Sequence, residues 1–421
     1  ASFGSALIAC IYGLVDMAMV GQYHGPDGSA AMAVIAPIWN IIYSFGLLCG
    51  IGGSVIYAVA RGERDDVKAA NGYFTSAFIL GTLWALILWV LVWVCEEPLL
   101  RLFGANDALM PLCKEYMVAP KLTVPVYVFI NLLSSFLRND GDPGRATKAV
   151  IFGGIFNVFG DYFFVFTLDM GIKGAGIATA MGASMSVLVM LTHFISKKNT
   201  LKFVKPLRIL NSFKMISVNG FSSFIVDVAM GIATMLFNRR VMEYLGTDAL
   251  AVYGVIVVVG TLVQCCSYGI GQAAQPVISR NFGAGLTDRI KTMLKYNIIT
   301  AAVFGAIWTV LSMAMPQVFI KLFMTPTPEV LSIAPGIIRI YAISFVLLPF
   351  NIYSTYYFQA IMRAKISLIA SVARGIVISG ALILLLPVAF GGNAVWWAMP
   401  ITEAVVFVYS AVMMKKVKLS R

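Results

Sequence analysis

Four carboxylates lie within long apolar stretches of this 421-residue chain, and they are the side chains most able to do chemistry. Fifteen of the 19 acidic residues fall in predicted loops or at span ends, and the remaining four are Asp16, Asp161, Asp227 and Glu403. A carboxylate inside a bilayer costs at least ~2.5 kcal/mol on insertion scales, so such residues are rare unless they have a function. Each of the four is therefore a candidate for contact with an ion, a proton or a cationic ligand.

The first half of the chain brings two of these acids to a common depth. Asp16 and Asp161 lie ~5–9 Å below the predicted outer ends of spans 1 and 5, and Thr179 enters span 6 at a similar depth. Asn157 is one helical turn from Asp161 on the same face. Such a group could replace the water shell of Na⁺, or its two carboxylates could share one proton. The alternative is a polar network that only ties helices together.

The second half carries Asp227 in span 7 and Glu403 in span 12, and neither has a second carboxylate in its own span. We interpret both as candidates for contact with substrate, with helix–helix hydrogen bonding as the alternative. Three amides on span 8 either line a cavity or hold helices together, and they are Gln264, Gln272 and Gln275.

The composition excludes several classes of protein. Hydrophobic residues make up 60% of the chain and charged residues 12%, against roughly 25% charged residues in soluble proteins. The net charge of +12 comes from bases in short loops, so we do not expect nucleic-acid binding. Sequence motifs of metalloproteases, P-loop proteins, serine hydrolases and dinucleotide-binding folds are missing, and His24 and His193 have no catalytic partner in their segments. We predict a protein that is not an enzyme and uses no cofactor.

Long apolar stretches predict an all-α integral membrane protein with twelve spans. In alternate loops and in the C-terminal tail we count 23 of the 31 Lys and Arg residues, Arg374 among them, which places both termini in the cytoplasm by the positive-inside rule. Ala1 already lies in an apolar run, so we expect the start of span 1 to be missing and no cleavable signal peptide. The predicted spans are 1–20, 31–60, 73–95, 117–138, 147–167, 176–195, 215–241, 249–280, 294–315, 335–362, 365–386 and 394–414.

A long basic segment divides the chain into two similar halves. We predict an N-lobe of helices 1–6 over 1–195, a cytoplasmic linker over 196–214, and a C-lobe of helices 7–12 over 215–421. Residues 33–34, 50–52 and 61 echo residues 251–252, 269–271 and 280 at an offset of 218–219. Because each half has an even number of spans, the two should be parallel repeats with a central cavity, as in secondary transporters.

Short motifs spread in order over nearly the whole chain resemble those of the multidrug and toxic compound extrusion (MATE) family. Each motif alone is weak, whereas their order makes them jointly specific. Glu403 stands where the family has a glutamate in helix 12. The other matching stretches are 15–21 (VDMAMVG), 138–143 (RNDGDP), 157–164 (NVFGDYFF), 174–179 (GAGIAT), 272–276 (QAAQP) and 283–285 (GAG).

The resemblance, closest to a bacterial multidrug-exporting branch, implies the twelve-helix MATE fold in the inner (plasma) membrane. It implies an antiporter that exports lipophilic, often cationic, drugs and toxic compounds by alternating access while H⁺ or Na⁺ enters. It also implies an ion site, able to hold Na⁺, that is formed by Asp16, Asn157, Asp161 and Thr179.

One departure from the family pattern matters. Some relatives carry a paired acid in helix 10, and residues 351–357 (NIYSTYY) contain none. We therefore expect Asp227 and Glu403 to handle cationic substrates rather than Na⁺. The alternative function is a lipid-linked oligosaccharide flippase of the same superfamily, which would need cationic residues in its cavity. We expect small-molecule drugs and the lipid bilayer as partners, no nucleic acid, and a monomer.

Overall fold

A computed structural model describes residues 2–64, 66–206, 208–323 and 326–417. Lys418 and Arg421, which belong to the predicted cytoplasmic tail, lie outside these ranges. Within them the chain forms helices and connecting segments and no strand. The helical membrane class predicted from the sequence is therefore confirmed.

The helices divide into fifteen α-helices and four short segments of tighter or wider winding. The wider, π-helical segments are Tyr162–Thr167 and Ala373–Val377, and the tighter, 3₁₀ segments are Thr192–Ile195 and Gly392–Trp397. The α-helices are α1 Ser2–Arg64, α2 Val67–Val94, α3 Glu96–Leu102, α4 Met110–Leu122, α5 Val124–Asn139, α6 Pro143–Asp161, α7 Gly171–Leu191, α8 Ile209–Gly283, α9 Thr287–Ala314, α10 Pro316–Phe323, α11 Pro328–Ala342, α12 Ser344–Ala360, α13 Ala364–Val372, α14 Ile378–Phe390 and α15 Ala398–Lys416.

Within the described ranges, nine helices are long and apolar enough to cross a membrane, or ten when α4 and α5 count as one span. The 75 residues of α8 correspond to ~110 Å, far more than the ~30 Å apolar layer of a bilayer. Gly246 interrupts α8 with a φ of 79°, which glycine adopts readily, so this helix contains predicted spans 7 and 8. The count of twelve spans stays a prediction.

One predicted loop is helical in the structure, and one predicted span is broken. We expected a loop between spans 1 and 2, and the helical hydrogen bonding of α1 continues through it because local breaker signals are weak against their context. In predicted span 10 the break falls at Ile343, between α11 and α12, whereas Pro349 lies inside α12. Predicted span 4 is bent by 55° at Thr123, with Pro120 and Pro125 on either side.

The surface of α9 carries a stripe of exposed apolar side chains. Its exposed apolar side chains recur at helical spacing, with exposed fractions of 48–63%, and they are Ile299, Val303, Ile307 and Val310. A continuous apolar stripe of this kind suits lipid rather than water.

The chain divides into two compact units, residues 1–224 and 225–421. The first turns of α8 belong to unit 1 because glycines let its backbone reach α1. A Cβ on Gly52 would lie 2.9 Å from the nitrogen of Gly220, and a Cβ on Gly220 would overlap the carbonyl oxygen of Leu48. The predicted division at 196–214 stays a prediction, and the observed boundary falls inside α8.

The segment between α7 and α8 is bound to unit 1 by its backbone. Thr200 N–H donates to Asp140 at 2.9 Å, and Lys202 N–H donates to Asn71 at 3.0 Å. His193, which has no partner in its own predicted span, is fully buried between two carboxylates from another segment, with its ring nitrogens 2.8 Å from Asp140 and 3.3 Å from Asp142. The start of this segment is therefore a fixed part of unit 1.

Replacing Gly220 with Ala should lower the stability of the protein, because the new methyl group would push α8 away from α1. Such overpacking costs ~1–3 kcal/mol. The apparent melting temperature of purified protein in detergent measures it. Gly231→Ala on the same helix is the control: nothing lies within 4 Å of its added Cβ, so stability should hold or rise slightly. Equal melting of Gly220→Ala and wild type would contradict the close packing.

Candidate functional site

The polar residues of unit 1 meet where glycines allow α6 and α7 to pack closely. A Cβ on Gly182 would lie 2.7 Å from the carbonyl oxygen of Gly153 and 2.9 Å from the Cβ of Asn157. This approach brings Asn157 on α6 against Thr179 on α7, where the Asn157 amide donates to the Thr179 hydroxyl at 3.3 Å. The sequence pattern of small residues thus positions two of the predicted site residues.

A tyrosine that the sequence analysis did not select completes the network. Gly176 on α7 faces the backbone of Tyr116 on α4, where a Cβ would overlap the tyrosine carbonyl oxygen. The Tyr116 hydroxyl lies 3.3 Å from both Asp16 Oδ2 and Thr179 Oγ1. Thr179 Oγ1 is also 3.3 Å from Asp16 Oδ2 and 2.9 Å from the Ala175 carbonyl oxygen. Asp16, Asn157 and Thr179 therefore share one hydrogen-bonded cluster centred on the threonine hydroxyl.

Asp161, the last residue of α6, lies beside this cluster without joining its hydrogen bonds. Its exposed fraction is 0%, and neither carboxyl oxygen has a hydrogen-bond partner in the described part of the chain. It is near enough to Asp16 for the two carboxylate charges to interact. The π-helical segment follows it directly, and such winding is frequent at functional sites.

The cluster offers oxygen atoms and no compensating base. Oδ1 of Asp16 and Oδ1 of Asn157 are also buried without a partner. In this part of the described structure, four acceptor oxygens thus face neither a donor nor a cation. Charged carboxylates in such surroundings are costly unless a proton or a cation compensates them. An arrangement of oxygens alone suits a proton or a hard cation such as Na⁺.

In unit 2, Asp227 belongs to a second polar network. The Tyr268 hydroxyl donates to Asp227 Oδ1 at 3.0 Å, and the Gln264 amide lies 2.6 Å from that hydroxyl. Gln275 instead reaches Gln359 of α12 at 3.4 Å in a buried contact. Gln272 is half-buried and joins neither contact among the described residues. Of the three predicted amides, Gln264 therefore lies closest to a carboxylate, and Gln275 links two helices.

Glu403 is fully buried and ion-paired, which the sequence analysis did not predict. Arg374 Nε–H donates to Glu403 Oε1 at 2.7 Å, and the Asn351 amide donates to Oε2 at 2.6 Å. Arg374 was counted among the loop bases although predicted span 365–386 contains it, and the structure places it in the π-helical segment between α13 and α14, inside a membrane-spanning stretch. The number of bases in alternate loops and tail falls to 22, and the spans contain a base as well as four acids.

A cavity of about 90 Å³ lies within unit 2 and adjoins both of its polar networks. That volume exceeds the space needed for one water molecule several-fold. Four of its 19 lining residues are aromatic. Six of its lining residues are Phe237, Tyr253, Tyr341, Phe345, Gln264 and Arg374.

The residues missed by sequence reasoning left different signals. Arg374 is a charge within a predicted apolar span, so the same rule that selected the four acids could have found it. Tyr116 and Tyr268 gave no comparable signal, because tyrosine is common in such spans and only the packing shows which hydroxyl meets a carboxylate.

Comparison with known proteins identifies relatives in sequence and in structure. The chain is 24% identical over 409 residues to a multidrug export protein MepA of Staphylococcus haemolyticus, covering 95% of this chain and 88% of that protein. It superposes on an outward-facing multidrug resistance MATE family transporter of the MOP superfamily with a TM-score of 0.90 at 22% identity, covering 98% of this chain and 94% of the other. A Vibrio cholerae MATE transporter gives a TM-score of 0.90 at 17% identity, covering 99% and 95%.

These structural likenesses establish the fold, and a family model extends the match to sequence. The model described as MatE matches residues 1–163 and 219–384, which is more than half of the chain. A multi-pass helical membrane protein with these matches is a transport protein rather than an enzyme. The resemblance seen in the sequence motifs is thereby confirmed, and the chain belongs to the MatE family of membrane transporters.

Proposed function

We propose that this protein exports lipophilic, often cationic, small molecules across the cell membrane in exchange for H⁺ or Na⁺. The observation that carries the proposal is Asp161, a fully buried carboxyl group whose oxygens have no partner in the described structure. A purely structural acid would be expected to have a donor or a fixed countercharge, as Glu403 does. Asp161 is therefore suited to gain and lose a proton or a cation.

Coupling follows from the cost of burying charge. When the cluster of Asp16, Asn157, Asp161 and Thr179 binds a proton or a cation, much of the desolvation cost of closing it away from water disappears. The ion then favours one of two conformational states, and its effect is limited to the difference between its affinities for them. Alternating access links this preference to drug release, and ion entry drives export.

The substrate class rests on the relatives and on the character of unit 2. The matched relatives bear the name multidrug export protein. Four aromatic rings line the unit 2 cavity, and Asp227 is connected to the lining residue Gln264 through Tyr268. Aromatic rings and a carboxylate are the groups that attract flat molecules with a positive charge. The flippase alternative needs bases free to hold a pyrophosphate. Arg374 lines the unit 2 cavity, and its guanidinium is paired with Glu403, so this alternative is less favoured.

We propose an inner-membrane protein with both termini in the cytoplasm and a monomeric functional unit. The support for the orientation is the uneven distribution of lysines and arginines, which the reassignment of Arg374 leaves in place.

Purified protein in liposomes should move a fluorescent lipophilic cation against its gradient when a pH or a Na⁺ gradient is imposed, and should stop when an ionophore collapses that gradient. Imposing each gradient alone identifies the coupling ion. Movement that is equal with and without both gradients would contradict an antiporter.

Asp161→Asn should abolish gradient-driven efflux, because the amide is nearly isosteric and cannot take up a proton or compensate a cation. Drug binding, yield and thermal stability should stay near wild type. A structural role predicts the reverse: lower stability, with residual efflux that still responds to the gradient.

The matched control is Asp169→Asn, an exposed acid in the same unit. Asp169 accepts from Tyr23 at 2.5 Å and has a φ of 53°, and asparagine tolerates both features. Its efflux should equal that of wild type. If Asp161→Asn behaves like this control, Asp161 is not part of coupling.

Asp227→Asn should weaken transport of cationic substrates far more than transport of neutral ones, since only the former need the carboxylate charge. Dose–response curves for a cationic and a neutral drug, each under the same gradient, measure the difference. Tyr268→Phe removes the hydroxyl that donates to Asp227 and keeps the carboxylate, so it serves as the control. An equal loss for both drug classes in Asp227→Asn would indicate a structural role.

A further inference from the structure

Both carboxylate oxygens of Glu403 have partners, and one of these partners is a cation, the guanidinium of Arg374. One oxygen accepts from the guanidinium of Arg374 at 2.7 Å, and the other accepts from the Asn351 amide at 2.6 Å. The amide oxygen of Asn351 is buried and has no partner in the described structure. The exposed fractions of the Glu403 and Arg374 side chains are 0% and 13%.

The acids of unit 1 have the opposite surroundings. Asp161 lies directly before a π-helical segment and has no donor among the described residues, whereas Arg374 lies within the π-helical segment of unit 2 and neutralises an acid. In both units the change of helical winding therefore marks the place where an intramembrane charge is handled. In the described structure Asp16 and Asp161 of unit 1 have no cationic partner, whereas Glu403 of unit 2 is paired with a cation that belongs to the chain itself.

We propose that Arg374 is a tethered cation that permanently fills a cation site formed by Glu403 and Asn351. Unit 2 then binds no coupling ion, and ion binding is confined to the cluster around Asp161 in unit 1. The second part rests on the proposed ion-coupled export, while the tethered cation itself does not.

The proposal predicts what happens when the guanidinium of Arg374 is removed. Arg374 also lines the cavity of about 90 Å³, so Arg374→Ala would leave Glu403 uncompensated beside space that a small ion can enter. Guanidinium has the size, charge and donor geometry of the missing group. Removing one member of a buried ion pair is strongly destabilising, whereas replacing both members is close to neutral.

The experiment measures thermal unfolding of purified protein in detergent. Arg374→Ala should melt several degrees below wild type and should recover most of this loss in millimolar guanidinium chloride, but not in choline chloride of equal concentration. Wild type should not respond to millimolar guanidinium. The double variant R374A/E403Q should melt near wild type without added ion and should also show no response.

Three results would overturn the tethered cation: Arg374→Ala that melts like wild type, equal recovery in choline, or a double variant no more stable than Arg374→Ala. If Arg374→Ala yields no protein, R374A/E403Q still decides, because it should fold when the loss arises from an uncompensated Glu403. Failure of R374A/E403Q as well would mean that Arg374 is needed for packing alone.

A separate measurement tests the confinement of ion binding. Binding of the coupling ion to wild type should vanish in Asp161→Asn, and Arg374→Ala should bind one additional monovalent cation per protein. Ion binding that survives in Asp161→Asn and disappears in Glu403→Gln would overturn the confinement. This assay uses detergent-solubilised protein without a gradient, so its outcome is independent of whether the protein transports drugs.

Discussion

The free energy of a carboxylate in the low-dielectric interior of a membrane protein is the constraint on which this structure depends. A buried carboxyl group must bind a proton, bind an ion or face a fixed countercharge. Glu403 has the fixed countercharge, and Asp161 has none in the described structure. Glu403 in unit 2 is therefore permanently compensated by Arg374, whereas the charge of Asp161 in unit 1 can be compensated reversibly by a proton or a cation.

The compensation depends on how closely helix backbones approach one another. Gly153 and Gly182 let α6 meet α7, and Gly176 lets α4 meet α7, so that the hydroxyls of Tyr116 and Thr179 reach Asp16 and the Asn157 amide reaches Thr179. A methyl group at any of these glycines would separate the donors from Asp16. Small residues here serve the polar site as much as the packing, in keeping with their role in membrane helix association.

Sequence reasoning predicted the helical membrane class and the grouping of Asp16, Asn157 and Thr179, because hydropathy and helical spacing determine span and depth. It counted Arg374 with the loop bases although predicted span 365–386 contains it, since the positive-inside rule treats bases as signs of sidedness and not as partners of buried acids. Tyr116 depends on a close approach of α4 and α7 that no local pattern encodes. The continuity of α1 was missed for a related reason: breaker residues lower helix propensity without deciding whether a helix ends.

The ion pair of Arg374 and Glu403 has a consequence for biosynthesis. Arg374 is synthesised 29 residues before its partner Glu403. Its span must therefore enter the bilayer with an unpaired arginine, which raises the free energy of insertion by ~2.5–3.5 kcal/mol. The other residues of Ala364–Phe390 offset this cost, because the mean hydropathy of the most apolar window of this stretch is 2.2. Pairing is completed only when α15 inserts. Insertion of α15 therefore converts a costly intermediate into a compensated one, and truncation before Glu403 would leave Arg374 in the membrane without its carboxylate partner.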